Sequence, residues 1–293
     1  KLMKIEQYNY SFLNHPLLPK FYGTVKEKKY AIIEFINGKT LLNIEQMHLD
    51  INDKITIIFE LILIIQYLHI SKFIYRDLKP NNVIIDKNKN AVLIDFDRML
   101  SIYDNDDHTR DFPHCFAAPE MQIGKVSYRS DVYSLGQMIY FIMNEKEPLN
   151  EMNNISEDKI EQIYKKCTNK VIENRPSIYE LFNEFYSCYK DKINPSLIEN
   201  NPQIHFILGV IHSIDDFGSP NVNKAIHHFS LAANQNYLYA QINLGIIYGS
   251  KCFHNNDIDK AIKYYESAAN KGNIYALNAL GSIYSRENTD HFD

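Results

Sequence analysis

The chain has 293 residues, of which 45% are hydrophobic and 23% are charged. This composition excludes an intrinsically disordered chain, a collagen and a disulfide scaffold, and the length predicts about two domains. The formal net charge of −5 makes nucleic acid an unsuitable partner, because holding a phosphate backbone requires an excess of positive charge.

The four cysteines are scattered and form neither a Cys-x-x-Cys pair nor a zinc-ligand pattern with histidine. This favours a reducing compartment, and we expect a cytoplasmic protein. The most apolar run, Ile55–Ile70, is too short to span a bilayer and includes Glu60. It therefore predicts a buried helix, and we expect no contact with membranes.

A polar loop with three chemically useful side chains follows this helix. Asp77 can orient an attacking hydroxyl and accept its proton, Lys79 can approach a γ-phosphate, and Asn82 can offer oxygen to Mg²⁺. Phosphoryl transfer requires these three functions together. The loop therefore predicts a phosphotransfer site.

A second carboxylate follows at the end of a predicted strand. Ala91–Leu93 is strand-like, and a turn through residues 87–90 joins it to the apolar segment before it. Asp95 comes two residues after the strand, where its carboxylate could hold the same metal ion as Asn82.

The loop and the Asp95–Asp97 segment resemble the catalytic loop and metal-binding motif of the eukaryotic protein kinases. Three further motifs of that family follow in order: the end of the activation segment at Ala117–Glu120, the start of a long buried helix at Ser130–Gly136, and a late arginine at Asn174–Pro176. The resemblance covers about residues 4–188. It implies an α+β kinase-like domain with a mostly helical lower lobe and a partial upper-lobe sheet.

The resemblance also implies ATP and Mg²⁺ as ligands and protein hydroxyls as acceptors. Asp77 and Lys79 would be catalytic, and Asn82 and Asp95 would hold the metal and nucleotide. Adenine would contact a hinge and an apolar floor, with Ile33 at the gatekeeper position. The residues expected around adenine are Ile33, Glu34, Ile36 and Ile84.

Two features imply a branch of the family. Lys79, two residues after Asp77, resembles the serine/threonine type of catalytic loop. Cys167 ahead of Arg175 resembles the tyrosine-kinase-like branch of the serine/threonine kinases. We therefore expect transfer of the γ-phosphoryl of ATP to serine or threonine.

Other positions depart from the family. The glycine-rich loop and the lysine that Glu6 would pair with are absent from the sequence, so we expect a kinase domain that lacks its first three strands. Asp97 replaces a glycine, which predicts a different conformation of the metal-site loop. Pro113 stands where a hydroxyl residue normally contacts the catalytic loop. These departures leave a second hypothesis open, an inert pseudokinase that acts as a scaffold through its C-terminal repeats.

The segment before Ala117 allows two modes of regulation. Arg76 would bind a phosphate on this segment in the resembling kinases, with Thr109 as the phosphosite. Alternatively, Asp104, Asp106 and Asp107 already supply the negative charge, or they form only a solvated acidic loop.

Several other residues are interpreted as structural. We expect Glu120 and Arg175 to form a buried ion pair and Asp131 to anchor a loop backbone. A packed apolar stack is predicted to join the lobes. Its members are Tyr10, Phe21, Tyr75 and Phe96.

The last third of the chain repeats with a period of 36 residues. Leu-Gly pairs recur at Leu208–Gly209, Leu244–Gly245 and Leu280–Gly281, and alanines recur in the same register. This pattern predicts helix pairs, with Asn223 and Asp259 as N-caps. It resembles the Sel-one-like repeats, relatives of the tetratricopeptide class.

These patterns divide the chain into three parts. We expect a kinase-like domain at residues 1–191, a linker at 192–202, and an all-α helical-repeat solenoid at 203–293. The solenoid would hold about two and a half repeats, so we expect it to be cut short. Its concave face would bind other proteins and thereby select substrates. A truncated gene model is the third hypothesis for the whole chain.

Overall fold

A computed structural model describes residues 13–25, 30–103, 115–148, 157–199, 201–213, 220–250 and 256–289. The chain divides into two compact units, Lys1–Pro195 and Ser196–Asp293. The dividing point falls inside the predicted linker, where a short helix rather than an irregular segment is present. This helix is α5 of the chain, at Pro195–Glu199.

The described part of the first unit contains seven short strands in three antiparallel sheets. β1 (Phe21–Val25) pairs with β2 (Tyr30–Ile33). The strands of the second sheet are, in order, β3 (Gly38–Thr40), β5 (Val83–Asp86) and β6 (Ala91–Leu93). β4 (Phe73–Ile74) pairs with β7 (Leu100–Ser101).

The other elements of this unit are helical. The α-helices before α5 are α1 (Ile51–Ile70), α2 (Tyr128–Asn144), α3 (Asp158–Cys167) and α4 (Ile178–Tyr189). Short 3-10 segments lie at Leu41–Gln46, Pro80–Asn82, Pro119–Ile123 and Ile172–Asn174. In the described part of the chain, no helix combines the length and apolar character that a membrane span requires.

Helix α1 confirms the buried helix predicted from the apolar run. It begins four residues before that run, because Asp50 and Asp53 form a reciprocal capping box that satisfies the first N–H groups. Every residue from Ile55 to His69 is buried. Phe59 packs against Phe182 of α4, with ring centroids 5.4 Å apart. The helix is therefore the centre of the first unit's core.

The turn between β5 and β6 also confirms its prediction. Asp86 Oδ1 accepts hydrogen bonds from the N–H groups of Asn88 and Asn90, at 2.8 and 2.9 Å. Lys89 takes a left-handed conformation with φ of 66°. These bonds close a tight turn and set the register that pairs Val83 with Leu93.

Glu60 is the charged residue within the buried part of α1. Its Oε2 accepts the Ala91 N–H of β6 at 2.6 Å, while no described group bonds Oε1. Burial raises the pKa of Glu60 to about 8, against the opposing effect of the Ala91 hydrogen bond. The Glu60 side chain therefore joins α1 to β6, and its raised pKa shows that burial disfavours the charged carboxylate.

Replacing Glu60 by glutamine is expected to remove a pH dependence of stability. A carboxyl whose pKa is raised by folding binds more protons in the folded state, so stability falls as pH rises from about 4.3 towards 8. Glutamine is neutral throughout and still accepts the Ala91 N–H. Urea unfolding at pH 5 and pH 8.5 measures the effect. We expect the variant to gain stability at pH 8.5 only; an equal gain at both values would contradict this account.

The second unit is helical throughout its described part. Its helices after α5 are α6 (Pro202–Ser213), α7 (Val222–Asn234), α8 (Leu238–Gly249), α9 (Ile258–Ala269) and α10 (Ile274–Thr289). Each of the first four of these helices packs against the next one in sequence.

The two predicted N-caps in this unit are wrong by two residues. The caps are Asn221 for α7 and Asp257 for α9, whose side chains accept the N–H groups of Lys224 and Lys260, each at 3.0 Å. Asn223 and Asp259 instead lie within the first helical turn. Since both sequences contain two capping residues close together, the pattern alone could not choose between them.

Candidate active site

Asp77 lies at the centre of a compact polar cluster. Its carboxylate is 2% exposed, and both Lys79 Nζ and Asn82 Nδ2 donate to Oδ2, at 2.8 and 3.0 Å. Asn82 Nδ2 also donates to the Asp77 carbonyl at 2.9 Å. The structure thus brings together the three loop residues predicted from the sequence. One carboxylate oxygen is held by two donors, which fixes the orientation of the other.

Arg98 is a neighbour of this carboxylate that the sequence did not predict. Its Nη1 lies 3.8 Å from Asp77 Oδ1, the second oxygen of that carboxylate. Its backbone carbonyl accepts a hydrogen bond from Arg76 Nε at 2.5 Å. Nothing in the spacing of Asp77 and Arg98 indicates this contact, because the bend after Asp95 creates it.

Asp131 holds the backbone that leads into the cluster. Its carboxylate accepts the N–H groups of Tyr75 and Arg76, both at 2.8 Å, and contacts His69 Nε2 at 2.9 Å. Arg76 has a φ of 71°, a left-handed conformation that costs a non-glycine residue about 1 kcal/mol. The two hydrogen bonds offset this strain. The predicted structural role of Asp131 is confirmed, whereas His69 as its partner was not predicted.

Asn82 and Asp95 are brought together by the β5–β6 pairing. The Ile94 N–H donates to the Asn82 carbonyl at 2.9 Å, which places the next residue, Asp95, at the same end of the sheet. Asp95 has a φ of 64°, which aspartate tolerates better than most residues. This left-handed residue turns the chain out of β6.

The donor set around Asp95 suits a hard divalent cation. Burial raises the pKa of Asp95, and the negative charges of Asp97 and Asp77 add to the effect. A cation would relieve this crowding, and oxygen ligands are those that Mg²⁺ prefers. The Asn82 amide nitrogen is used on Asp77, so its oxygen is the atom suited to a metal. Among the described residues, no three acidic, histidine or cysteine side chains converge on one ion.

The backbone at Asp97 does not take a left-handed conformation. Among the described residues with positive φ, Asp97 does not occur, so its backbone does not use the freedom that glycine would give. The left-handed residue of this segment is Asp95 instead. Aspartate can therefore occupy position 97 without backbone strain.

Substituting Asp97 by glycine is accordingly expected to leave stability nearly unchanged. The added chain freedom of glycine costs about 1 kcal/mol or less, and no strain is released in return. Urea denaturation of the two proteins gives the comparison. Asp97→Asn is the control, because it removes the same charge next to Asp95 and keeps a side chain. A stabilisation of more than about 1 kcal/mol by glycine that asparagine does not share would show that the backbone at position 97 is strained.

The predicted hinge residues follow β2. The Glu34 N–H donates to the Lys20 carbonyl at 2.8 Å, which ties the hinge to the residue before β1. Ile33 is 37% exposed at the end of β2, and Ile36 is half-buried. The chain then enters β3 through Gly38.

Gly38 permits the close pairing that brings Ile84 near this hinge. A Cβ atom at Gly38 would overlap the Ile85 carbonyl and lie 2.7 Å from Ile84 Cγ2. The register then pairs Thr40 with Ile84, two residues after Asn82. Ile84 in β5, the predicted floor of the adenine site, and Asn82 in the preceding 3-10 segment, the predicted metal ligand, therefore lie on adjacent elements.

Two members of the predicted apolar stack, Tyr75 and Phe96, are in contact. Tyr75 and Phe96 are both fully buried, with ring centroids 5.6 Å apart in an edge-to-face arrangement. The Tyr75 hydroxyl donates to the Ile94 carbonyl at 2.6 Å, which ties the loop to the end of β6. Tyr75 therefore holds the chain just before Asp77 against Phe96 and the end of β6.

The ion pair between Glu120 and Arg175 confirms its prediction. Arg175 Nη1 and Nη2 donate to the two Glu120 oxygens at 2.6 and 2.9 Å, and the arginine side chain is 0% exposed. Burial alone would raise the pKa of Glu120, but hydrogen bonds from Arg175 and Ser130 outweigh it and hold that pKa below its usual range. The pair therefore joins the 3-10 segment Pro119–Ile123 to the chain just after Ile172–Asn174 and is structural.

Some predicted positions lie outside the described residues. They are Glu6, Tyr10, Pro113, Thr109 and the acidic group Asp104, Asp106 and Asp107.

Two family models match the chain. The model described as the protein kinase domain matches residues 3–213, and the Sel1 repeat model matches residues 205–237 and 238–273.

Curated relatives include proteins named as serine/threonine-protein kinases. The "Probable serine/threonine-protein kinase KIN1 homolog" of Enterocytozoon bieneusi is 34% identical over 152 residues, which cover 49% of this chain and 25% of that protein. A "Putative serine/threonine-protein kinase" of Acanthamoeba polyphaga mimivirus is 28% identical over 223 residues, which cover 63% of this chain and 79% of that protein. Serine/threonine-protein kinase OXI1 of Arabidopsis thaliana is 38% identical over 104 residues, which cover 33% of this chain and 24% of that protein.

The chain therefore spans about a quarter of the first and third of these relatives and about four fifths of the viral one. Because the kinase model covers more than half of its 293 residues, the chain belongs to the protein kinase domain family and carries Sel1 repeats after that domain.

Proposed function

We propose that this protein transfers the γ-phosphoryl group of Mg·ATP to serine or threonine hydroxyls of proteins. The observation that carries the proposal is the Asp77 carboxylate, buried and held through Oδ2 by Lys79 and Asn82. An acceptor hydroxyl can then donate to Oδ1, which has a fixed direction. This is the arrangement that positions and deprotonates an attacking oxygen.

Each residue of the cluster has a role in this reaction. Asp77 orients the acceptor hydroxyl and takes its proton as the new oxygen–phosphorus bond forms, while the bond from the γ-phosphorus to the bridging oxygen breaks and ADP leaves. Lys79 places a positive charge beside the carboxylate, where it can also steady the γ-phosphate. Asn82 and Asp95 would hold Mg²⁺, which, when bound, neutralises charge on the phosphate oxygens.

The adenine of ATP would lie between the hinge and β5. The Glu34 carbonyl and the Ile36 backbone would pair with its edge, since the Glu34 N–H is already bonded to Lys20. Ile33 and Ile84 would contact its ring faces. We expect this arrangement because β3, which comes directly after the hinge in the sequence, pairs with β5.

The serine/threonine preference rests on Lys79 and on the names of the relatives. The tyrosine-kinase-like branch is a finer proposal that rests on Cys167, fully buried at the end of α3, and on Arg175. The Sel1 repeats would form a solenoid that binds other proteins and brings substrates to the kinase domain.

Binding of Mg·ATP tests this proposal against the scaffold hypothesis. A ligand at 100 times its dissociation constant stabilises the folded state by about 2.7 kcal/mol. We expect a thermal shift of that order with millimolar Mg·ATP, and no such shift for Asp95→Asn. A wild-type protein that shows no metal-dependent shift would favour a scaffold whose repeats carry the function.

A further inference from the structure

Four histidines are concentrated where helices α6 and α7 of the second unit pack against each other. His205 and His212 lie about two turns apart on α6, and His227 and His228 lie on α7. The ring of His228 lies between the two α6 rings, with its centroid 5.8 Å from that of His205 and 5.6 Å from that of His212. The interplanar angles are 23° and 15°, so the three rings are nearly parallel. We call His205, His228 and His212 the histidine stack.

Two ring nitrogens of the histidine stack are buried without a hydrogen-bond partner. They are Nδ1 of His205 and Nδ1 of His228, and no described group bonds either atom. A protonated imidazole carries an N–H donor on both of its nitrogens, so protonation would leave a buried donor without an acceptor. The packing of α6 against α7 therefore favours neutral rings.

The charged groups around His228 strengthen this preference. The described side chains that act on it are Lys224 and His227 from α7 itself and His205 and His212 from α6. Helix α8 also packs against α7, but none of its described groups is among them. No described carboxylate is present in this set to stabilise an imidazolium. Burial and these neighbours lower the pKa of His228 to about 4, and burial also lowers the pKa of His205 and of His212.

The next repeat shows that the fold does not require histidine at these positions. Each member of the histidine stack has an equivalent 36 residues later, in α8 or α9. The equivalents of His205, His212 and His228 are, in order, Gln241, Tyr248 and Tyr264. The two tyrosines stack in the same way, with ring centroids 6.0 Å apart and an interplanar angle of 5°. The pair α8–α9 thus has the same ring contact without a side chain that gains positive charge in acid.

We propose that the histidine stack makes the contact between α6 and α7 an acid-sensitive joint, which is closed at neutral pH and opens when the rings are protonated. Positive charge on His228 would face positive charge on both neighbouring rings, and the repulsion would separate the two helices. Both helices belong to the first matched Sel1 repeat, residues 205–237. The joint is independent of the proposed phosphotransfer, because every residue involved belongs to the second unit.

The direction of the pH dependence follows from proton binding. Histidines released by opening regain an ordinary pKa of about 6.5, so the open form binds more protons than the closed form. The closed joint is therefore most stable above about pH 6.5, and it weakens as the pH falls from there towards 4. We expect opening to be about tenfold more frequent at pH 5 than at pH 7.5, with solvent screening of the partly exposed rings taken into account.

Hydrogen–deuterium exchange of the full chain, followed by mass spectrometry of peptides from α6 and α7, measures this opening. The test variant combines His205→Gln, His212→Tyr and His228→Tyr, the residue types that the next repeat has at the same positions. The two proteins are compared at equal pH, so that the intrinsic pH dependence of exchange cancels. We expect the ratio of wild-type to variant exchange rates in α6 and α7 to rise about tenfold from pH 7.5 to pH 5.

Two controls accompany this comparison. His48→Asn removes an exposed histidine of the first unit, and asparagine tolerates the φ of 48° at that position. It should show the same acid response in α6 and α7 as the wild type. Helices α8 and α9 of the wild-type protein are the second control, which requires no variant. After correction for intrinsic rates, their exchange should rise much less at pH 5 than that of α6 and α7.

Two outcomes would overturn the proposal. One is a ratio of wild-type to variant exchange rates that is the same at both pH values. The other is an equal rise of exchange in α6–α7 and α8–α9 of the wild type at pH 5, which would assign the acid response to the second unit as a whole. The second comparison decides the matter even if the triple variant does not fold.

Discussion

Asp77→Asn is expected to lower the turnover number for phosphotransfer about 100- to 10,000-fold, the range for loss of a positioned acid–base group. The amide nearly matches the carboxylate in size and can still accept hydrogen bonds from Lys79 and Asn82 through its oxygen. It cannot accept the proton of the acceptor hydroxyl. We therefore expect the KM for ATP and the melting temperature to stay close to those of the wild type. Steady-state kinetics and a thermal melt measure both quantities.

The control for this variant is Asp191→Asn, which removes the same charge at an exposed position of the first unit. It should retain full activity. Turnover in Asp77→Asn within a few fold of the wild type would show that the carboxylate does not act in the reaction. A large loss of thermal stability would instead assign Asp77 a structural role.

Arg175→Ala is expected to destabilise the first unit by about 3–5 kcal/mol, the cost of leaving one member of a buried ion pair without the other. Glu120 would keep its hydrogen bond from Ser130 but lose both guanidinium donors. Since folding lowers the pKa of Glu120, the pair stabilises the wild type above about pH 4.3, and this contribution disappears as the pH falls through the lowered pKa. Urea unfolding at pH 7 and pH 3 should show the difference between the two proteins mainly at pH 7.

An exposed ion pair of the same unit provides the comparison. Lys166 Nζ lies 2.7 Å from Glu184 Oε1, and the lysine side chain is 54% exposed. Lys166→Ala should cost about 1 kcal/mol or less, because solvent screens such a pair. Similar losses for the two variants would contradict the structural importance given to burial at Arg175.

The polar cluster around Asp77 could be predicted because its members are close in sequence. Asp77, Lys79 and Asn82 lie within six residues, so a single loop can bring them together. Asp95 followed because β5 and β6 form a hairpin, and a short turn fixes their register. Arg98 could not be predicted, since its approach to Asp77 depends on the left-handed backbone at Asp95.

The elements of the fold were predictable to different degrees. The apolar run of α1 and the 36-residue period of the second unit are long signals, and the structure contains the single helix that the first predicts and the helix pairs that the second predicts. Helix starts were less certain, because Asn221 and Asp257 compete with Asn223 and Asp259 as caps. The contacts between repeat helices depended on tertiary packing. The sequence shows equivalent glycines at 209, 245 and 281, but only the structure shows that the rings of Phe229 and Tyr265 pack against Gly209 and Gly245.

Transfer of labelled γ-phosphate from Mg·ATP to protein substrates, followed by phosphoamino acid analysis, is the direct test of the proposed phosphotransfer. We expect label on phosphoserine or phosphothreonine, dependent on Mg²⁺ and reduced at least about 100-fold in Asp77→Asn. Label at the same level in wild type and Asp77→Asn, or no label in either with acceptor proteins present, would contradict it.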